Sequence, residues 1–300
     1  MSPPAGCPAS PPELSLLAPA KVNLFLEVLA RRADGYHEIE TVMQTVDLCD
    51  RLDFWEAPPG VFTVSVSGRP GAPADETNLA LRAARMLAAE AGAARGAHLH
   101  IDKRIPTGGG LGGGSSDAAA ALRGLSRLWG LAAAARDLEP LGARLGSDVN
   151  FFLTGGLALC RGRGELVEPV PAATPFWYLM FVPQLQVLTR DIYSALIMPL
   201  TATRRRASSV LEAISRADWP RVGPELFNRL EEAAFRLHPQ LAEAKELMRG
   251  GGSAGALLSG SGATVYALAD PDGVESLRAR LVGNLRSGAV LACGPVGPAV

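Results

Sequence analysis

Apolar residues recur at two different spacings along this chain, and each change of spacing marks a new element. Glu13 to Arg31 (ELSLLAPAKVNLFLEVLAR) and His37 to Ala57 (HEIETVMQTVDLCDRLDFWEA) alternate apolar and polar positions in part, which predicts two strands. The RRADGYH between them supplies Asp-Gly turn chemistry, so an early antiparallel sheet is expected. GVFTVSVSG reads as a further strand, and ETNLALRAARMLAAEAG repeats apolar residues at helical spacing up to Gly92. GAHLHIDKRIP predicts a strand that runs into PTGGGLGGGSSDAA, after which AAAALRGLSRLWG is strongly helical. LEPLGARLGSD predicts a short helix with a polar turn, and NFFLTGGLALCRGRGELVEPV a strand pair around Gly155 and Gly156.

The second half opens with a predicted strand, FWYLMFVP, and continues through helical stretches in SSVLEAISRADW and PELFNRLEEAAFRLHPQLAEAKELMRGG. It closes with the strand ATVYALAD, the helix PDGVESLRARLVG and the strand AVLACG. No internal repeat of fixed period appears. The order predicts an α+β chain: a mobile Pro-rich tail at 1–13, a β-rich α/β domain at 14–163 and a second α/β domain at 164–300.

Composition narrows the function classes. With 300 residues and 48% hydrophobic content the chain can bury a sizeable core. Its formal charge is −1, and its one basic cluster is Arg204 to Arg206, which reads as a solvated loop, so general nucleic-acid binding is not expected. Cys7, Cys49, Cys160 and Cys293 lie far apart without CxxC or zinc-like His spacing, which argues against a disulfide framework and for a reducing cytoplasm. No apolar run is long enough to span a membrane, and MSPPAGCPASPPELS lacks the pattern of a secretion signal. A soluble protein is expected, monomer or homodimer.

The glycine run is the richest chemical signal. A loop that wraps phosphate oxygens needs inward N–H groups, unusual dihedrals and no Cβ in the way, and a helix starting there adds free donors and a positive dipole end. GxxxxGK[ST] fails for want of the lysine, and the dinucleotide fingerprint for want of its acidic residue in a βαβ unit. A flexible linker, or a Ser115/Ser116 helix cap over tight packing, is the plainer alternative. The two hydroxyls can also hold a Mg²⁺ that bridges phosphates.

PAKVNLFLEV (Pro19 to Val28), RADGYHEI (Arg32 to Ile39), KRIPTGGGLGGGSSDAAAAL (Lys103 to Leu122), LGSDVNFFLTGG (Leu145 to Gly156) and SGSGATVYAL (Ser259 to Leu268) occur in this order. Together they resemble the motifs of the 4-diphosphocytidyl-2-C-methyl-D-erythritol kinase family of the GHMP kinase superfamily, from about Leu14 onward. The glycine loop is similar across the superfamily, while PAKVNLFL with RADGYH narrows the resemblance. It implies the two-domain GHMP fold with a plait-like C-terminal domain. It further implies ATP-dependent phosphorylation of the 2-hydroxyl of the cytidylated methylerythritol, with ATP and Mg²⁺ required, in the non-mevalonate route to isoprenoid precursors.

The resemblance also distributes roles. Asp148, which a turn alone would explain, becomes the general base, and Lys21, otherwise a solvent-face lysine, points at the substrate hydroxyl and at Asp148. Asn23, on the same strand face as Lys21, orients the same substrate. Tyr36 and His37 surround the cytosine, Tyr193 supplies a second aromatic wall, Thr189 contacts the sugar alcohol, and Gly260, Ser261 and Gly262 form a second backbone cradle. Lys103, Pro106, Thr107, Gly108, Gly109, Gly110, Leu111, Gly112, Gly113, Gly114, Ser115 and Ser116 make the ATP side. Two departures stand out: Asn150 replaces a frequent proline, and NRLE from Asn228 replaces NDLE, so that segment is left outside the expected site. A homoserine, mevalonate or sugar kinase would share the glycine loop but not the need for Tyr36 and His37. A non-catalytic RNA-binding relative of this fold fits poorly with near-zero net charge.

Overall fold

The computed structural model describes residues 8, 10–92, 94–131, 134–172, 174–197, 205–250, 252–285 and 287–299. Cys7, Arg204 and most of the expected 1–13 tail lie outside the described residues.

Strands β1 (Leu14–Arg31) and β2 (His37–Glu56) form a long antiparallel hairpin closed by Arg32 N–H donating to Tyr36 O. A bulge between Asn23 and Phe25 shifts the register. β3 (Phe62–Gly68), α1 (Leu79–Glu90) and β4 (Ala97–Lys103) follow, then α2 (Gly113–Leu128), α3 (Ala135–Leu145), α4 (Val149–Thr154), β5 (Leu157–Gly162) and β6 (Leu166–Pro169). One half of β2 pairs with β4 and the other half with β5. Helix α2 starts where the glycine loop ends and lies against this sheet. Its Ala118 to Ala121 are buried, and Gly124 rests so closely on the Phe54 ring that a Cβ would sit 2.6 Å from it. Small residues therefore bring the loop-bearing helix down onto β1 and β2, and each buried methylene contributes roughly 0.8 kcal/mol.

The second half contains β7 (Trp177–Pro183), α5 (Thr189–Ser194), α6 (Ala207–Ser215), α7 (Trp219–Glu225), β8 (Phe227–Asn228), α8 (Glu231–Leu237), α9 (Pro239–Gly250), β9 (Gly255–Leu258), β10 (Val265–Ala269), α10 (Val274–Val282) and β11 (Gly288–Cys293). A four-stranded antiparallel sheet runs β11-β7-β10-β9. The other sheet has seven strands, because β8 crosses over to pair in parallel with β1 through Phe25–Phe227 and Leu26–Asn228. The buried Tyr266 of β10 donates its hydroxyl to Asn23 O at 2.8 Å, tying the two sheets together beside Lys21.

Two sequence expectations need correction. NFFLT is the body of helix α4, not a strand; Gly155 (φ 68°) and Gly156 (φ 72°) end that helix, and the β5–β6 turn falls at 163–165. Asp148 therefore precedes a helix. The stretch from Pro224 to Gly251 is not continuous helix: Leu226 is extended (ψ 132°), and His238 leaves helical dihedrals before Pro239, where proline sterics disfavour them. β6 pairs with β5, so the first sheet continues past residue 163.

Candidate active site

A cavity of about 1010 Å³ is lined by β1, the β1–β2 turn, the glycine loop, the α3–α4 turn, α5 and the β9–β10 loop. The glycine loop is its floor. Gly108, Gly110 and Gly112 hold φ of 71°, 74° and 74°, a region costly for residues with a Cβ. At Gly110 a Cβ would lie 2.1 Å from Ser259 O, so here two backbones touch. Gly112 caps α2 with no side chain, which leaves the first N–H groups of a 16-residue helix and its positive end facing the cavity.

The loop's entry is anchored by buried charge. Asp50 Oδ1 accepts from Arg104 N at 2.6 Å and Ile105 N at 2.8 Å, and its other oxygen accepts from Lys103 Nζ. Lys103 Nζ also donates to Asp117 Oδ2 at 2.7 Å. Burial opposes the lysine charge, yet Asp117 and Asp50 outweigh it and hold Lys103 above the ordinary lysine range. Burial pushes the Asp117 carboxyl up, Lys103 pulls it back only in part, and Asp50 adds to the rise, because two carboxylates share one ammonium. Lys103 thus reaches the cavity wall, but its ammonium is engaged by Asp50 and Asp117.

Lys21 and Asp148 meet above the loop. Lys21 is buried on β1 and donates to Asn23 Oδ1 at 2.6 Å and to Gly110 O at 2.9 Å. Its Nζ stands 3.8 Å from Asp148 Oδ2, an attraction beyond hydrogen-bond range. Burial lowers the Lys21 pKa, and the Asp148 charge opposes that shift. Asp148 is the residue before α4 and makes no capping bond to it, so its carboxylate, 31% exposed, stays directed at the cavity. Asn23 is oriented by donating to Thr41 Oγ1 at 2.8 Å. Asn150, the departure from the resembled pattern, donates to Glu165 O at 3.1 Å and ties α4 to the β5–β6 turn.

At the far end His37 and Tyr193 stack with ring centroids 4.9 Å apart, and the Arg163 guanidinium lies 4.7 Å over the exposed Tyr36 ring. Burial and then Arg31 lower the His37 pKa, favouring a neutral imidazole that can both donate and accept. Thr189 and Ser261 share a 2.9 Å hydroxyl bond across the cavity. Pro106 through Ser115 and Gly260 also line it. Two expected residues do not: Ser116 is buried on the inner face of α2, and Gly262 lies behind the loop against Leu258. Asp50, Asp117, Arg163 and Asn228 were not foreseen. Lys103 on an apolar strand was the one signal for a buried countercharge.

Family models for the GHMP kinases N terminal domain and the GHMP kinases C terminal match residues 78–156 and 210–286. They define a kinase of the GHMP class. A 4-diphosphocytidyl-2-C-methyl-D-erythritol kinase from Shouchella clausii (strain KSM-K16) is 41% identical over 272 residues, covering 91% of this chain and 90% of that protein. The solved structure of a 4-(cytidine 5'-diphospho)-2C-methyl-D-erythritol kinase is 39% identical with a TM-score of 0.76, covering 95% of this chain and 100% of that one. This chain belongs to the 4-diphosphocytidyl-2-C-methyl-D-erythritol kinase family. A homoserine kinase structure from Cytophaga hutchinsonii ATCC 33406 has a TM-score of 0.77 at 20% identity, covering 95% and 94%, so it shares the fold alone. No helix among the described residues is long and apolar enough to cross a membrane.

Proposed function

We propose that this chain transfers the γ-phosphoryl group of ATP to the 2-hydroxyl of 4-diphosphocytidyl-2-C-methyl-D-erythritol. The observation that carries the reading is Asp148 and Lys21 facing one another over the glycine loop, with an aromatic site beyond them. The triphosphate lies on the loop and the α2 N-terminus, where backbone N–H groups supply donors. The acceptor hydroxyl sits between Asp148, which takes its proton, and Lys21, which offsets charge as the phosphoryl group moves. Tyr36, His37 and Tyr193 hold the cytosine by stacking and edge bonding.

Ser115 is the hydroxyl of the Ser115/Ser116 pair that faces the cavity, and no group of three or more His, Cys, Asp or Glu gathers as a metal site among the described residues. That donor set fits a Mg²⁺ carried in on the nucleotide, with Ser115 as its protein hydroxyl, supplying neutralisation of phosphate charge. The division into a 14–163 nucleotide half and a 164–300 half, with β6 and β8 returning to the first sheet, belongs to the same reading. So does a reducing cytoplasm, supported by unpaired Cys49, Cys160 and Cys293. A coupled ATP-turnover assay with the cytidylated methylerythritol, beside free methylerythritol and homoserine, tests it. Turnover with the cytidylated substrate alone is the expected result, and preference for either of the others would overturn it.

A further inference from the structure

The NRLE segment, left outside the site on sequence grounds, reaches into it. Asn228 is buried at the point where β8 joins β1, the strand that carries Lys21 and Asn23. Its Nδ2 donates to Leu258 O at 2.8 Å and to Gly260 O at 2.7 Å, and its Oδ1 accepts from Leu230 N at 2.9 Å. Glu231, three residues on, accepts from Leu258 N through Oε1 at 3.0 Å, and its Oε2 accepts from Lys245 Nζ at 2.7 Å. Both polar faces of the Leu258 peptide positions, and the Gly260 carbonyl, are therefore held by one short segment. Arg229 sets that segment's own place: its N–H donates to Leu26 O at 2.8 Å, and its guanidinium forks onto the buried Glu27 at 2.7 and 2.8 Å.

What the clamp holds is the contact between the two loops of the site. Ser259 Oγ donates to Gly110 O at 3.0 Å, the same carbonyl that accepts from Lys21 Nζ at 2.9 Å. A Cβ on Gly260 would lie 3.2 Å from Lys21 Nζ. Displacing Leu258 to Gly260 thus moves the seat of the Lys21 ammonium. Only a primary amide can donate two bonds and accept a third at this position; an aspartate would turn an acceptor toward two carbonyls.

We propose that Asn228 and Glu231 are positioning residues for phosphoryl transfer, clamping the 258–260 backbone so that Gly110 O and Lys21 stay aligned with Asp148. The inference rests on the kinase reading above. Phosphoryl transfer depends on alignment, and a misplacement of about 1 Å can cost about 10²-fold in rate. Asn228→Asp keeps the shape and the Leu230 cap but removes both donors. It should lower kcat by about 10²-fold and raise KM for ATP and for the cytidylated acceptor by much less, since Asn228 reaches both binding ends only through the 258–260 backbone. Glu231→Gln retains an acceptor for Leu258 N and should keep kcat within about threefold, whereas Glu231→Ala should not.

Calorimetric ATP stoichiometry normalises kcat to folded sites, which separates positioning from a mere loss of folded protein. Ser259→Ala, a milder change, should lower kcat in the same way, and its effect should be non-additive with Asn228→Asp. Hydrogen exchange in 108–112 and 258–262 is read alongside and should speed up in Asn228→Asp whatever the acceptor. Wild-type enzyme inert toward the cytidylated acceptor would sink the kinase reading, and the exchange experiment would still judge the clamp. Unchanged exchange, an unchanged normalised kcat, or losses confined to KM or thermal stability would each overturn it.

Discussion

Lys21 shows how a residue's environment decides its role. A strand lysine flanked by apolar neighbours ordinarily faces solvent, but this one is 4% exposed, with Asn23, Gly110 and Asp148 as its surroundings. Asp148→Asn should leave ATP binding intact and lower kcat by ~10² or more, the scale of a lost general base; near-normal turnover by the folded variant would rule the assignment out. Burial places the Lys21 pKa below the 10.5 of free lysine, so raising the pH removes its proton earlier than for an exposed lysine. The basic limb of the kcat–pH profile should therefore fall below that value. Lys21→Arg, slower at neutral pH, should lose this limb because guanidinium stays charged. A limb unmoved in Lys21→Arg assigns the titration to another group. That Lys21, Asn23 and Asp148 come together was legible because short motifs carry them. The anchoring role of Lys103 was not, since its partner Asp50 is 53 residues away and nothing local marks that pairing.

Among the elements, the glycine loop was readable and α4 was not, for one physical reason. Left-handed dihedrals and backbone contacts exclude side chains, so the need for glycine is written directly in the sequence. A six-residue helix whose first five residues are all buried, Asn150 included, carries no periodicity to tell helix from strand. β8, only two residues long, was equally invisible: it exists through its parallel pairing with β1 and through the Asn228 bonds to Leu258 O and Gly260 O, all of which depend on the finished fold. Gly110→Ala combines a φ of 74° with a Cβ 2.1 Å from Ser259 O, so the loop must move. ATP affinity should fall more than about tenfold, given a strain on the order of 1–3 kcal/mol before the clash is added. Gly130→Ala is the control, with φ 64° and nothing within 4 Å of the new Cβ. It should lower stability modestly and leave ATP affinity alone. Equal calorimetric affinities for wild type and Gly110→Ala would mean that phosphate is not held by this loop.

At the scale of the molecule the cavity is long and its two ends rest on different structures. One end is made by the glycine loop and the α1 and α2 N-termini, while the aromatic end is made by the β1–β2 turn and α5. The division into two sheets was legible from the order of periodicities. Their coupling through Tyr266 to Asn23 and through β8 was not, because it joins residues 243 and 202 positions apart. If the ends act separately, damage to one should leave the other intact. His37→Ala removes the ring stacked on Tyr193 and the edge group for a base, and Tyr36→Ala removes the exposed ring under Arg163. Each should cost on the order of 1–3 kcal/mol in acceptor binding, about five- to 150-fold in its KM. KM for ATP should stay within about twofold, because among the described residues no hydrogen bond joins the glycine loop to 36–37. Steady-state kinetics on both substrates, with circular dichroism for the fold, reads the outcome. Parallel losses for ATP and acceptor would mean that the turn supports the whole cavity, and an unchanged acceptor KM would move cytosine recognition away from this turn.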